Sequence, residues 1–208
     1  MPTLSYIHRF EPAAAPGPRP LLLLHGTGGD ESSLLSLGRQ LSPGSALLSP
    51  RGDVSEHGMP RFFRRFAEGV FDLADVVGRT HALADFIGAA AREYRLDPAK
   101  LTALGYSNGA NIAASILWLR PESLAHAILL RPMVVLEPEK LSDLHGKRIL
   151  ILSGRHDPIV PVDHPSRLAG QFRQAGAEVT LQWFDTGHQL TPADLAAAAA
   201  WLGHATSS

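Results

Sequence analysis

Residues 101–119 read, without a gap, as a short apolar strand (Leu101-Thr-Ala-Leu104), a tight Gly105-Tyr-Ser107-Asn-Gly109 turn, and a small-residue helix stopped by Pro121. No other segment constrains the fold so strongly. A G-x-S-x-G turn between strand and helix holds a serine oxygen out at the tip of a strained elbow, and the glycines on either side let the two backbones approach. In a chain this rich in glycine and serine the pattern alone is weak. The flanking strand, and a helix with Ile112, Ser115, Ile116 and Leu119 on one face, carry the reading, and they make Ser107 the candidate nucleophile. The bland alternative is a glycine-rich turn with a surface serine.

A nucleophilic serine needs a base and a group to orient it, and with this elbow they follow in the order Ser, Asp or Glu, His. The hydrophobic run Arg148-Ile-Leu-Ile-Leu-Ser153 leads into Gly154-Arg-His-Asp157-Pro-Ile-Val-Pro161, so Asp157 lies in a turn after a parallel strand, where site residues of open sheets gather. The next strand, 178–184, ends in Asp185-Thr-Gly-His188, before a helix that starts with Thr191 as N-cap and Pro192 at its first position. Asp157 is the expected orienter and His188 the expected base. Asp163 and Asp185 are the nearby alternatives for the acid, and an isolated loop histidine satisfied by water is the alternative for His188.

Near the start, Leu21–Leu24 runs into His25-Gly-Thr27-Gly-Gly-Asp30, a turn able to aim a backbone N–H at a tetrahedral oxyanion. Thr27 and Asn108 are the expected donors. A phosphate-cradling loop is the rival, but no Gly-Lys-Ser/Thr follows and the glycines lack dinucleotide spacing. The other histidines are scattered, with no metal-ligand spacing, and the absence of cysteine excludes a thiolate site, so neither metal nor cofactor is expected.

Taken with Ser49-Pro-Arg-Gly52, these motifs resemble those of the α/β-hydrolases, and within them the phospholipase/carboxylesterase family that includes acyl-protein thioesterases and small bacterial carboxylesterases. The resemblance spans most of the chain. It implies Ser107 as nucleophile, Asp157 as acid, His188 as base, Thr27 and Asn108 as oxyanion amides, and His25 as a structural turn residue. It does not carry a substrate, because the family is broad and many thioesterase-like members have a different turn in place of His-Gly-Thr-Gly-Gly.

The 208 residues suit one domain over 1–208, burying about 70–75% of its unfolded surface. A net charge of −1 provides no field toward nucleic acid or anionic lipid. No segment reads as a leader or a membrane span, and a cytoplasmic location is expected on that ground alone. Without cysteine there is neither a disulfide nor a cysteine nucleophile. Strands near 21–25, 45–49, 101–105, 126–131, 148–153 and 178–184 alternate with helices near 31–41, 80–95, 109–119, 163–175 and 192–202. An edge strand over 6–10, a turn-rich connector over 13–20 and a fraying end over 205–208 complete the chain. The expected fold is an α/β-hydrolase fold: a mostly parallel sheet of about seven strands, helices on both faces, and no large cap domain.

The connector 51–78 is least ordinary, with Phe62, Phe63, Phe66 and Phe71 beside Arg51, Arg61, Arg64 and Arg65. It reads either as an amphipathic helix with Phe62, Phe66 and Val70 in the core, or as a partial lid whose aromatics wall the pocket and whose arginines meet an anionic group. Phe62, Phe63, Arg64, Met133 and Val134 are the candidate pocket residues. Three function classes follow: a serine carboxylesterase acting on small esters as a monomer or homodimer, an acyl-protein thioesterase or lysophospholipase with the same triad, and a non-catalytic small-molecule binder. None of them calls for nucleic acid or a membrane as partner.

Overall fold

The four leucines Leu21–Leu24 are all fully buried, and the two-residue period of a strand sends them alternately to opposite sides. Leu22 and Leu24 join one apolar cluster, Leu21 and Leu23 another. A strand apolar on both faces belongs in a parallel sheet covered by helices on each side, and that is the architecture. The computed structural model describes residues 4–14 and 19–204. Part of the 13–20 connector and all of 205–208 therefore lie outside the described residues.

The strands are β1 (His8–Glu11), β2 (Leu21–Leu24), β3 (Leu47–Pro50), β4 (Val54–Glu56), β5 (Met59–Arg61), β6 (Arg65–Ala67), β7 (Val70–Phe71), β8 (Thr102–Tyr106), β9 (His126–Leu130), β10 (Arg148–Gly154) and β11 (Glu178–Phe184). The helices are α1 (Leu35–Leu41), α2 (Leu73–Tyr94), α3 (Asn108–Leu119), α4 (His164–Gln174) and α5 (Pro192–His204). Seven strands form the central sheet in the order β1-β3-β2-β8-β9-β10-β11. Only β1 is antiparallel to its neighbour. Helices α2, α3 and α4 cover one face through residues such as Phe86, Ile112 and Phe172. Helices α1 and α5 cover the other, through Leu41, Ala198 and Trp201. The parallel sheet wrapped by helices that the strand and helix alternation predicts is observed, in the seven-stranded form that the α/β-hydrolase resemblance implies.

Three local expectations are corrected. Helix α1 starts at Leu35 rather than near 31, because the Asp30 carboxylate accepts hydrogen bonds from Ser32 N and Ser33 Oγ and holds the preceding residues in a turn. Helix α2 starts at Leu73 rather than near 80, capped by Asp72, whose side chain accepts from Asp75 N. The connector is not an amphipathic helix: β4–β5 and β6–β7 are two antiparallel hairpins. In the first, His57 and Gly58 both take positive φ, which suits a two-residue hairpin loop and stops any helix. Phe62 is buried, but Phe66 and Val70 are 76% and 53% exposed.

Candidate active site

Ser107 sits between β8 and α3 with φ 53° and ψ −114°, a strained conformation for a residue with a side chain. Two backbone hydrogen bonds hold it there: Ser107 N donates to Leu130 O at 2.8 Å, and Asn111 N donates to Ser107 O at 2.9 Å. A Cβ at Gly105 would overlap the Gly109 backbone, and one at Gly109 would overlap the backbone of Leu24 in β2. The two glycines of the motif are therefore needed for close approach of strand and helix, as the sequence suggests.

Asp157 and His188 reach Ser107 from the ends of β10 and β11. Asp157 Oδ1 accepts from Ile159 N at 2.8 Å and Val160 N at 3.1 Å, which fixes the carboxylate and leaves Oδ2 for His188 Nδ1, 2.7 Å away. Its side chain is 2% exposed. His188 Nε2 lies 3.0 Å from Ser107 Oγ. With Nδ1–H donated to the carboxylate, Nε2 is the acceptor facing the serine. The alternative acids are engaged elsewhere, Asp185 with His156 at 2.6 Å and Asp163 with Arg167 at 3.3 Å, both at the exposed surface. Thr191 does not cap α5 as an acceptor. Its N–H and hydroxyl both donate to Asp194 Oδ2, each at 2.8 Å, so the third helical residue caps the first turn.

Thr27 and Asn108 both line the cavity above Ser107, and neither backbone N–H has an acceptor among the described residues. The loop bearing Thr27 is anchored by His25, 1% exposed, whose Nε2 accepts from Gly52 N at 2.9 Å while Nδ1 donates to Gly26 O at 2.7 Å. The bond from Gly52 needs an unprotonated Nε2 and hence a neutral ring, and burial lowers the pKa of His25 although the bond to Gly26 O opposes that shift. Gly28 N donates to Pro60 O, and Arg61 Nη1 to Thr27 Oγ1 at 2.5 Å, tying the same loop to β5.

The cavity encloses about 270 Å³. Of the expected pocket residues only Met133 lines it. Phe62 and Phe63 are fully buried behind the wall, Phe62 N donating to Asn108 Oδ1 at 2.8 Å and Phe63 packing edge-on against Phe71. Arg64 points away to Asp72 and Asp75, and Val134 N–H donates to His164 Nδ1 at 3.2 Å. The wall is instead Arg61, Arg65, Glu68 and Phe71 on one side, with Tyr106, Asn111 and Ile159 completing it. Arg61 is buried, and desolvation first, then the Arg65 charge, lowers its pKa while Glu56 opposes that shift. Arg65 is paired with both Glu56 and Glu68. Two of the missed residues had a sequence signal. Asn111 is one helical turn beyond Ser107 and so shares its face, and Ile159 lies two residues past Asp157.

Among the described residues no helix is long and apolar enough to cross a membrane. The dienelactone hydrolase family model matches residues 69–200. The protein of Bacillus subtilis (strain 168) named "Putative hydrolase MhqD" is 46% identical over 185 residues, covering 89% of this chain and 92% of that protein. A carboxylesterase from Bacillus cereus superposes with a TM-score of 0.94 at 43% identity, over 97% of this chain and 95% of that one. For a carboxylesterase from Mesorhizobium loti the TM-score is 0.90 at 33% identity, over 98% and 97%. The α/β-hydrolase resemblance seen in the motifs thus holds along nearly the whole chain, and the chain belongs to the dienelactone hydrolase family.

Proposed function

We propose that this hydrolase cleaves small carboxylic esters through an acyl-enzyme on Ser107. The observation that carries the reading is the unbroken line from Asp157 Oδ2 through His188 to Ser107 Oγ, with steps of 2.7 and 3.0 Å, at the floor of an open cavity. His188 Nε2 takes the hydroxyl proton as Oγ attacks the ester carbonyl carbon, and Asp157 stabilises the imidazolium that forms. The carbonyl oxygen becomes an oxyanion and is received by the Thr27 and Asn108 amides. Collapse breaks the bond to the alcohol, which leaves with the proton from Nε2. Water then gives its proton to Nε2 and attacks the acyl carbon. The second collapse returns that proton to Oγ and frees the carboxylic acid.

The carboxylesterase relatives support an ester as substrate. A cavity of about 270 Å³, walled on one side by charged Arg65 and Glu68, supports a short acyl group over a long one. The test is a fluorophosphonate probe: labelling is expected on Ser107 alone, and Ser107→Ala is expected to abolish both labelling and esterase activity in a folded protein. Label on another residue, or an alanine variant keeping more than a few per cent of activity, overturns the reading.

A further inference from the structure

We propose that Arg131 is a positioning residue for the base: its buried guanidinium holds the His188 loop at hydrogen-bonding distance from Ser107. The inference rests on the triad reading above. The loop joining β11 to α5 is irregular, yet the carbonyls of three successive residues in it are captured by side chains from β8 and from the end of β9. Arg131 Nε donates to Gly187 O at 3.1 Å, Tyr106 Oη to His188 O at 3.2 Å, and Arg131 Nη2 to Gln189 O at 3.0 Å. One planar fork thus holds the carbonyls of the residues on each side of the base.

The fork is itself held rigidly. Its Nη1 donates to Leu152 O at 3.1 Å, and Nη1 and Nη2 together bind the Asp194 carboxylate at 2.7 and 2.9 Å. Both side chains of this ion pair are fully buried. Asp194 also receives the N–H and hydroxyl of Thr191, so it fixes the far end of the loop. The backbone of Arg131 joins the nucleophile to the same frame. It takes φ 56°, its N–H donates to Leu152 O, and the preceding carbonyl, Leu130 O, accepts the Ser107 amide. The end of β9 thereby sets the nucleophile and the base against one another.

Burying a guanidinium and a carboxylate is a poor route to stability alone, because desolvation offsets most of their attraction and an apolar pair of similar volume often serves as well. What an apolar pair cannot supply is the pattern of donors on the Gly187 and Gln189 carbonyls. Lysine, a point charge on a flexible stem, cannot reproduce that fork either. A loss of alignment of about 1 Å at a reacting group costs up to about 100-fold in rate.

The experiment compares Arg131→Met, Arg131→Lys and the double variant Arg131→Met/Asp194→Leu by kcat, KM, fluorophosphonate labelling rate and thermal midpoint. The expected result is a kcat lowered about 10- to 100-fold in all three, with KM within about twofold of wild type and labelling slowed in step with kcat. The double variant is expected to regain the thermal midpoint lost in Arg131→Met but not the kcat. Recovery of kcat together with the thermal midpoint overturns the proposal, as does wild-type kcat in a folded Arg131→Lys. If Arg131→Met does not fold, the lysine and double variants decide by the same criteria. Ser107→Ala and His188→Asn are assayed alongside. If either stays active, the triad reading falls and this proposal falls with it. If both are inactive while the Arg131 variants keep wild-type kcat, this proposal alone falls.

Discussion

The two walls of the cleft are built by different means. On one side, Ser107, Asp157 and His188 stand at the ends of β8, β10 and β11, each fixed to neighbouring backbone within a sheet buried on both faces. On the other side, Arg61, Arg65, Glu68 and Phe71 belong to two short hairpins outside that sheet. The tip beyond them is exposed at Phe66 and Val70. In the proposed reaction the first wall needs fixed geometry for proton transfer. On the same reading the second faces the substrate, and its side chains can vary without disturbing the core.

The contrast is broken most directly at the acid. Asp157→Asn is expected to lower kcat by up to about 10⁴, the loss known for the corresponding change in serine proteases. Asp185→Asn and Asp163→Asn, which remove exposed pairs with His156 and Arg167, are expected to stay within a few fold of wild type. Steady-state kinetics on one short ester checks all three. A larger loss at Asp185 than at Asp157 removes the assigned acid.

The first wall was legible in the sequence because each of its residues follows an apolar strand at a turn signal, and the order Ser107, Asp157, His188 cross-checks the three. The second was not. Its cavity residues come from a segment where helical spacing of Phe62, Phe66 and Val70 competed with hairpin signals at His57-Gly58 and Gly69, and the positive φ of those turns prevailed. Phe62 and Phe63 looked like pocket aromatics, but tertiary docking against Asn108, His25 and Phe71 buries them. The capping pattern of Asp72 and Asp75 was a signal for the earlier start of α2 that periodicity alone did not reveal. Arg131 carried no local signal at all, since its role depends on carbonyls more than fifty positions away.

Acyl length sharpens the comparison next. Each buried methylene contributes about 0.8 kcal/mol, so a long apolar groove would make kcat/KM climb steeply with chain length. The charged hairpin wall is expected to end that rise early, with acetyl to about hexanoyl esters preferred over palmitoyl. Palmitoyl substrate below its micelle threshold that outperforms butanoyl by tenfold or more would place a groove through the hairpins and favour a long-chain thioesterase or lysophospholipase. Paired oxygen esters and thioesters of equal acyl length separate those two.

A smaller effect is expected from the hairpins themselves. Arg65→Ala and Glu68→Ala remove pocket contacts but no group of the proton path, so KM is expected to shift by several fold while kcat on an acetyl ester stays within about twofold. A kcat loss comparable to that of Asp157→Asn would show that the two walls are not separable.

His25 joins the walls, and acid should weaken the joint. Its Nε2 accepts the Gly52 amide at the entrance to the hairpins, while its Nδ1–H is donated to Gly26 O beside Thr27. A protonated ring would turn a donor toward the Gly52 N–H, and burial already lowers this pKa below the ordinary 6.5. Because the folded value lies below the unfolded one, the unfolded chain binds more protons between them. The contribution is therefore fully present above pH 6.5 and is lost as pH falls through the folded value. His126 acts with the same sign: burial first, then the Arg19, Arg148 and Lys147 charges, lowers it to about 4. The comparison of wild type with His25→Phe isolates the joint, since His126 is common to both. The phenylalanine variant leaves the Gly52 amide without its acceptor and is expected to lose about 1–3 kcal/mol at pH 7. That deficit should narrow as denaturation is repeated at pH 6, 5 and 4.5, because only the wild type then loses the His25 contribution. A deficit that stays constant or widens on acidification would mean that the Gly52 bond does not depend on a neutral ring.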